Sequence, residues 1–149
     1  MRIASRTDYA LRAALELAAA SGAALTTEEL ARLQGIPARY LGNILAEMRR
    51  ADVVSARRGP EGGWTLGRPA SAISLGQVIR AVGGALAQVG GSRPENLDYA
   101  GPAQHLQEVW VALRAAERSI LDSVTLADVV ANELPARVQD LVNLPDSWH

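Results

Sequence analysis

Apolar residues recur at helical spacing between Ser5 and Ala20, where Leu11, Ala14, Leu15 and Ala18 share one face and Arg6, Asp8, Arg12 and Glu16 fall mostly elsewhere. This pattern predicts a first helix, stopped by Ser21-Gly22. Thr26 followed three residues later by Glu29 is the signature of a capping box, and it predicts a short second helix through Leu30 and Leu33 that ends at Gly35. Pro37 suits the first turn of a third helix, because the N–H it lacks has no intrahelical partner there, and that helix should run to about Ala51. Its faces separate: Leu41, Ile44, Leu45 and Met48 form an apolar stripe, and Arg39, Asn43 and Arg50 project on the opposite side.

Two short strands follow, Val53-Val54-Ser55-Ala56 and Trp64-Thr65-Leu66, joined by a basic loop with three glycines, Arg57-Arg58-Gly59-Pro60-Glu61-Gly62-Gly63. Three helices and then a basic hairpin is the order of a winged helix-turn-helix. Ser74-Leu75-Gly76-Gln77 resembles another capping box and opens a helix through Val78, Ile79 and Val82. Residues 83–102 contain five glycines and two prolines, show weak periodicity and read largely as loop. From Ala103 to Asp122, Leu106, Val109, Leu113, Ala116 and Ile120 follow alternating three- and four-residue steps, widened by Trp110 and Leu121. A helix of that length, about 30 Å, cannot bury its whole face against so small a domain, which implies a partner helix from a second copy. The expected dimer interface is therefore Leu106, Val109, Trp110, Leu113, Ala116 and Ile120. A short helix starting at Thr125–Asp128 and a last one over Pro135–Leu141 complete the pattern.

The expected fold is mainly α with a small β-hairpin wing: a winged helix-turn-helix over 1–82, a loop over 83–102, and over 103–149 a long dimerisation helix with C-terminal helices packed on the same fold. A chain of 149 residues that is 48% hydrophobic can hold one such core. With no apolar run resembling a signal sequence after Met1-Arg2, it is expected to be cytosolic.

The net charge of −1 conceals an asymmetry: residues 1–68 hold ten arginines against seven acids, +3, and residues 69–149 hold five against nine, −4. Lysine is absent. Arginine suits the forked recognition of phosphates and base edges, although a lysine-free chain equally reflects genomic base composition. Cysteine is absent too, which excludes disulfides, thiolate metal sites and any catalytic thiol. With only His105 and His149 as imidazoles, there is no catalytic constellation, and an enzyme is not expected. The glycine loop lacks the lysine and hydroxyl residue of a nucleotide-binding loop and is followed by a strand.

A major groove about 12 Å wide admits one helix, whose forked or amide side chains read base edges. Arg39, Tyr40 and Asn43 are placed for such contacts, and Arg49 and Arg50 for the DNA backbone. Arg57 and Arg58, beside the glycines of the hairpin tip, suit the narrow minor groove. The expected DNA-contacting set is Thr27, Arg39, Tyr40, Asn43, Arg49, Arg50, Arg57, Arg58, Gly59 and Gly62.

The chain resembles the Rrf2 family of bacterial regulators, which includes the IscR, NsrR and CymR types. The resemblance rests on Arg6-Thr7-Asp8-Tyr9-Ala10-Leu11-Arg12, on Gly35-Ile36-Pro37-Ala38-Arg39-Tyr40-Leu41, on the wing Val54 to Leu66, on Ile73-Ser74-Leu75 and on Val124-Thr125-Leu126-Ala127-Asp128-Val129. It implies a symmetric dimer joined by the long helix that binds a pseudo-palindromic operator in double-stranded DNA and represses transcription. It also implies that Arg39, Tyr40 and Asn43 lie on the recognition helix and that Arg58 and Gly59 enter the minor groove. Gly42 stands where some cluster-binding members carry a glutamate that tunes sequence choice. Those members place three cysteines before the long helix; Gln104 occupies the position resembling the last, and Asp8 that of an acidic ligand. No iron-sulfur cluster, and no other cofactor, is expected. Trp110, Tyr99 and His105 are candidates to border a pocket for a small-molecule effector, or to be packing and surface residues, and a protein effector is equally open. The competing reading is a protein-interaction module on a winged-helix scaffold that has lost DNA binding.

Overall fold

The computed structural model describes residues 2–149. Helix α1 spans Ser5–Ala19, α2 Thr27–Gln34 and α3 Ala38–Arg50. Strands β1, Val54–Arg57, and β2, Gly63–Leu66, pair antiparallel from Val54↔Leu66 to Arg57↔Gly63. Helices α4, Leu75–Gly83, α5, Leu106–Leu121, α6, Leu126–Ala131, and α7, Ala136–Val142, complete the chain. No helix among the described residues is long and apolar enough to cross a membrane.

Local chemistry fixes where the helices start. Thr26 accepts a hydrogen bond from the Glu29 N–H, and the Glu29 carboxylate accepts one from the Thr26 N–H. The same reciprocal cap opens α4 through Ser74 and Gln77, and α6 through Thr125 and Asp128. Gly35 closes α2 in the left-handed conformation, at φ 63°.

The core lies between α1, α3 and α4. Ala10, Ala13 and Ala14 are fully buried, and these short side chains let α4 approach α1 closely. Leu41, Ile44, Leu45 and Met48, the whole predicted stripe of α3, are 0–1% exposed, and each contributes about 1.5–3 kcal/mol relative to an exposed position. Leu126 of α6 and Ile73 seal one edge, joined by a backbone hydrogen bond from Leu126 N–H to the Ile73 carbonyl.

The structure corrects the bounds of four elements. Pro37 lies outside α3 as its N-cap, with φ −61° and ψ 119°, an extended conformation that turns the chain into the helix. Strand β1 begins after Val53 and includes Arg57. Pro135 likewise precedes α7 as its N-cap, and α7 extends to Val142. The long helix has 16 residues, about 24 Å, because a 3₁₀ turn at Gly101–Ala103 holds the chain outside it until Leu106. The connection from α4 to α5 carries more structure than its periodicity suggested: Val89 and Ser92 exchange backbone hydrogen bonds, and Pro94–Asn96 form a 3₁₀ turn. The amide of Gln107 in α5 donates to the carbonyls of Pro94 and Glu95 at 3.3 and 3.2 Å.

Candidate nucleic-acid interface

Burial of the apolar stripe leaves the other side of α3 to solvent. At 3.6 residues per turn, Arg39, Asn43 and Arg50 fall within about 40° of one another on that side, and all three are exposed. The Arg39 guanidinium lies over the Tyr40 ring, 4.6 Å from its centroid, and Nη2 donates to the Tyr40 hydroxyl at 2.6 Å. These two residues therefore form one stacked unit on the first turn of α3, not two independent contacts. Stacking restricts the arginine before any ligand arrives, which reduces the entropy lost on contact.

The wing is built on its backbone. Gly62 donates its N–H to the Gly59 carbonyl at 2.9 Å, and Gly59 adopts φ 104°, a conformation side chains resist. Leu25 and Trp64 exchange both backbone hydrogen bonds, at 3.0 and 2.7 Å, so the segment before α2 adds a one-residue third strand to the hairpin. The Trp64 indole N–H donates to the Thr27 hydroxyl at 3.0 Å. Thr27 is thereby tied to the base of the wing while its own hydroxyl proton stays available to donate. The link between residue 25 and residue 64 was not visible in sequence, because a lone apolar residue between a turn and a helix cap has no period.

The electrostatics separate two groups of arginines. Arg6 pairs with Glu47, Arg12 with Asp8 at 3.1 Å, and Arg68 donates to the Asp52 carbonyl at 3.4 Å. Arg39, Arg49, Arg50, Arg57 and Arg58 are exposed and form no ion pair among the described residues. Five uncompensated guanidiniums thus sit on one helix and the adjacent wing, with Glu61 the acid within the hairpin tip.

The model of the Rrf2 family, described as an iron-dependent transcriptional regulator, matches residues 3–132. The chain is an Rrf2-family transcriptional regulator. An HTH-type transcriptional regulator of Mycobacterium tuberculosis is 44% identical over 144 residues, covering 96% of this chain and 89% of that protein. CymR of Bacillus subtilis is 32% identical over 132 residues, covering 88% and 91%. The solved structure of CymR, the global cysteine regulator of B. subtilis, superposes with a TM-score of 0.74 at 30% identity, covering 89% of this chain and 98% of that one. T. potens IscR superposes at 0.72 with 27% identity, covering 89% and 88%. The winged helix-turn-helix architecture and the DNA-binding regulator class follow from these likenesses and from the fold.

Two further features of this Rrf2 chain bear on its assembly and chemistry. Along α5 the buried residue is Glu117, whereas Leu106, Val109 and Leu113 are 37, 55 and 43% exposed and Ala116 is exposed beside them. Ile120 and Trp110 are half-buried, and the Trp110 indole donates to the Tyr99 hydroxyl at 3.2 Å. His105 stands in solvent next to Glu108, so it does not close a pocket with Trp110 and Tyr99. The iron dependence in the family's description has no donor set here. The chain has no cysteine, Asp8 is engaged by Arg12, Gln104 is exposed, and no group of three or more histidines and acids among the described residues is arranged to hold a metal ion. The side chains present do not fit a thiolate-held iron group.

Proposed function

We propose that this Rrf2 regulator acts as a homodimer on a pseudo-palindromic operator, with α3 in the major groove and the β1–β2 tip in the adjoining minor groove, and that it represses transcription by occupying that site. The observation that carries this reading is the clustering of five unpaired arginines on α3 and the wing, whereas Arg6, Arg12 and Arg68 are engaged and the other N-terminal arginines unpaired among the described residues, Arg2 and Arg32, stand singly elsewhere. Within it, the Arg39–Tyr40 unit and Asn43 read bases, Arg49 and Arg50 grip phosphates, and Arg57 and Arg58 enter the minor groove over Gly59 and Gly62, with Thr27 donating to the backbone.

Dimerisation is supported by the exposed stripe Leu106, Val109, Leu113 and Ala116, continued by Ile120 and flanked by Trp110, which a second α5 would cover. Two-fold symmetry would place two copies of α3 one helical turn of DNA apart or a multiple of it. Because the chain offers no iron ligands, its DNA binding should not require a cluster.

The test is selection from a random duplex pool with purified, metal-free protein, followed by titration of the enriched duplex against salt. An enriched palindrome, with affinity falling steeply as salt rises, is the expected result. Absence of any enriched sequence would refute the operator reading and favour an interaction scaffold; monomeric protein on a single half-site would refute the dimer.

A further inference from the structure

Residues 69–149 are net acidic, yet four of their five arginines converge on one place. Arg80 of α4, Arg93 of the connection, and Arg114 and Arg118 of α5 line a cleft of about 460 Å³, with Glu95 as its acidic member. Two carboxylates answer these four guanidiniums. Asp122 accepts from Arg80 at 2.7 Å and lies 3.8 Å from Arg118, and Glu95 pairs with Arg114. Arg93 has no ion pair among the described residues. Four positive and two negative groups leave +2 in a half-chain whose formal charge is −4.

A concave site of one sign concentrates counter-ions of the other, and guanidinium forks match the oxygens of phosphate and carboxylate groups. The volume lies in the range of small-molecule pockets. The Glu95 carboxyl itself is held below its usual range, by a hydrogen bond from its own backbone N–H foremost and then by Arg114 and Arg93, with desolvation opposing.

We infer that this cleft binds a small polyanion, a metabolite carrying two or more phosphate or carboxylate groups, and that the bound anion fixes α5 relative to α4. Helix α4 belongs to the DNA-binding core, where Val78 and Ile79 are buried. On α5, Arg114 and Arg118 lie about a third of a turn round from the Leu106, Val109 and Leu113 stripe, so the cleft lies beside the proposed seam and not along its centre. An anion bridging Arg80 to Arg114 and Arg118 touches both elements at once. Its affinity then depends on the arrangement of DNA-binding head and α5, which is what a ligand needs in order to shift populations. The regulatory consequence rests on the dimeric reading above; the anion site does not.

Isothermal titration of the full chain with sodium pyrophosphate, and separately with citrate, in about 150 mM sodium chloride tests the site against physiological screening. Three proteins are compared: wild type, Arg93→Gln/Arg118→Gln, and the wing variant Arg57→Ala/Arg58→Ala, each checked for its fold by circular dichroism. The expected result is one site per chain for at least one probe, weakened about tenfold or more in the cleft variant and unchanged in the wing variant. Binding of pyrophosphate alone would assign the site to phosphates, and binding of both probes to polyanions generally. No heat with either probe, equal affinity in the cleft variant, or loss confined to the wing variant would overturn the proposal. Operator affinity measured without either probe should be unchanged in the cleft variant; a loss there would show that these arginines serve DNA instead.

Discussion

Replacing Gly62 by alanine separates the wing's role in DNA binding from its role in stability. A Cβ at this position would lie 2.8 Å from the Gly59 carbonyl oxygen and closer still to that of Arg57, at least 0.6 Å inside the 3.4 Å at which ordinary contact begins. Both atoms belong to the backbone, so the tip has to open. Opening removes the Gly62–Gly59 hydrogen bond and disturbs the Arg57↔Gly63 pair. Because Arg57 to Glu61 are exposed, no core contact is lost with them. The thermodynamic cost is that of one exposed hydrogen bond and some backbone strain, about 0.5–1.5 kcal/mol, or roughly 2–6 °C in melting temperature for a chain of this size. The effect on DNA should be larger, because Arg57 and Arg58 are displaced together. If each neutralises a phosphate or occupies the minor groove, the slope of log affinity against log salt falls by about one to two, with a loss of about tenfold or more in affinity. Fluorescence anisotropy on the selected operator at several salt concentrations, beside thermal melts, gives both numbers. Unchanged affinity and slope in a variant whose melting temperature has fallen would show that the wing tip does not touch DNA.

Other residues make equally direct predictions. Arg39→Ala should cost about 1–3 kcal/mol on the operator and relax preference at one base pair, whereas equal weakening on every duplex would reveal a phosphate contact. Leu113→Glu should give a monomer in sedimentation equilibrium, since it places a charge in the seam of each α5, and an unchanged dimer mass would refute that interface. Thr27→Val removes the acceptor of the part-buried Trp64 indole N–H and should destabilise the chain by about 1–3 kcal/mol, read by urea denaturation followed through tryptophan fluorescence. Glu95 is held below its ordinary value of 4.5, so its contribution to stability is present above that value and disappears as pH falls through the lower folded value. Glu95→Gln should therefore flatten the acid limb of the stability profile below about pH 4.5 and leave its shape near neutrality unchanged, as thermal melts across pH would show.

What the sequence disclosed was local in origin. The capping boxes at Thr26–Glu29 and Ser74–Gln77 are pairs of residues three apart, and the α3 stripe is a period of one turn, so both can be read without knowing what lies across the fold. The features that escaped are non-local or set by a few backbone angles. Leu25 meets Trp64 across 39 positions, the start of α5 depends on a turn at Gly101–Ala103, and Arg80 meets Asp122 across 42. The arginine cleft is of this kind: its members are scattered among acids, and only the packing of α4 against the connection and α5 collects them. Arg39 and Tyr40 were legible as separate candidates, but their stacking depends on rotamers that spacing does not specify.

The attachment of the wing through main-chain groups has an evolutionary consequence. Peptide hydrogen bonds between Leu25 and Trp64 exist whatever side chains stand elsewhere on the hairpin, so the residues at positions 57 and 58 can change without loosening the mount that presents them. On the proposed reading, in which the tip contacts DNA, a lineage of such proteins can alter its operator by drifting at the tip while the hairpin keeps its pose. Divergence of targets after gene duplication then needs few substitutions and no refolded intermediate.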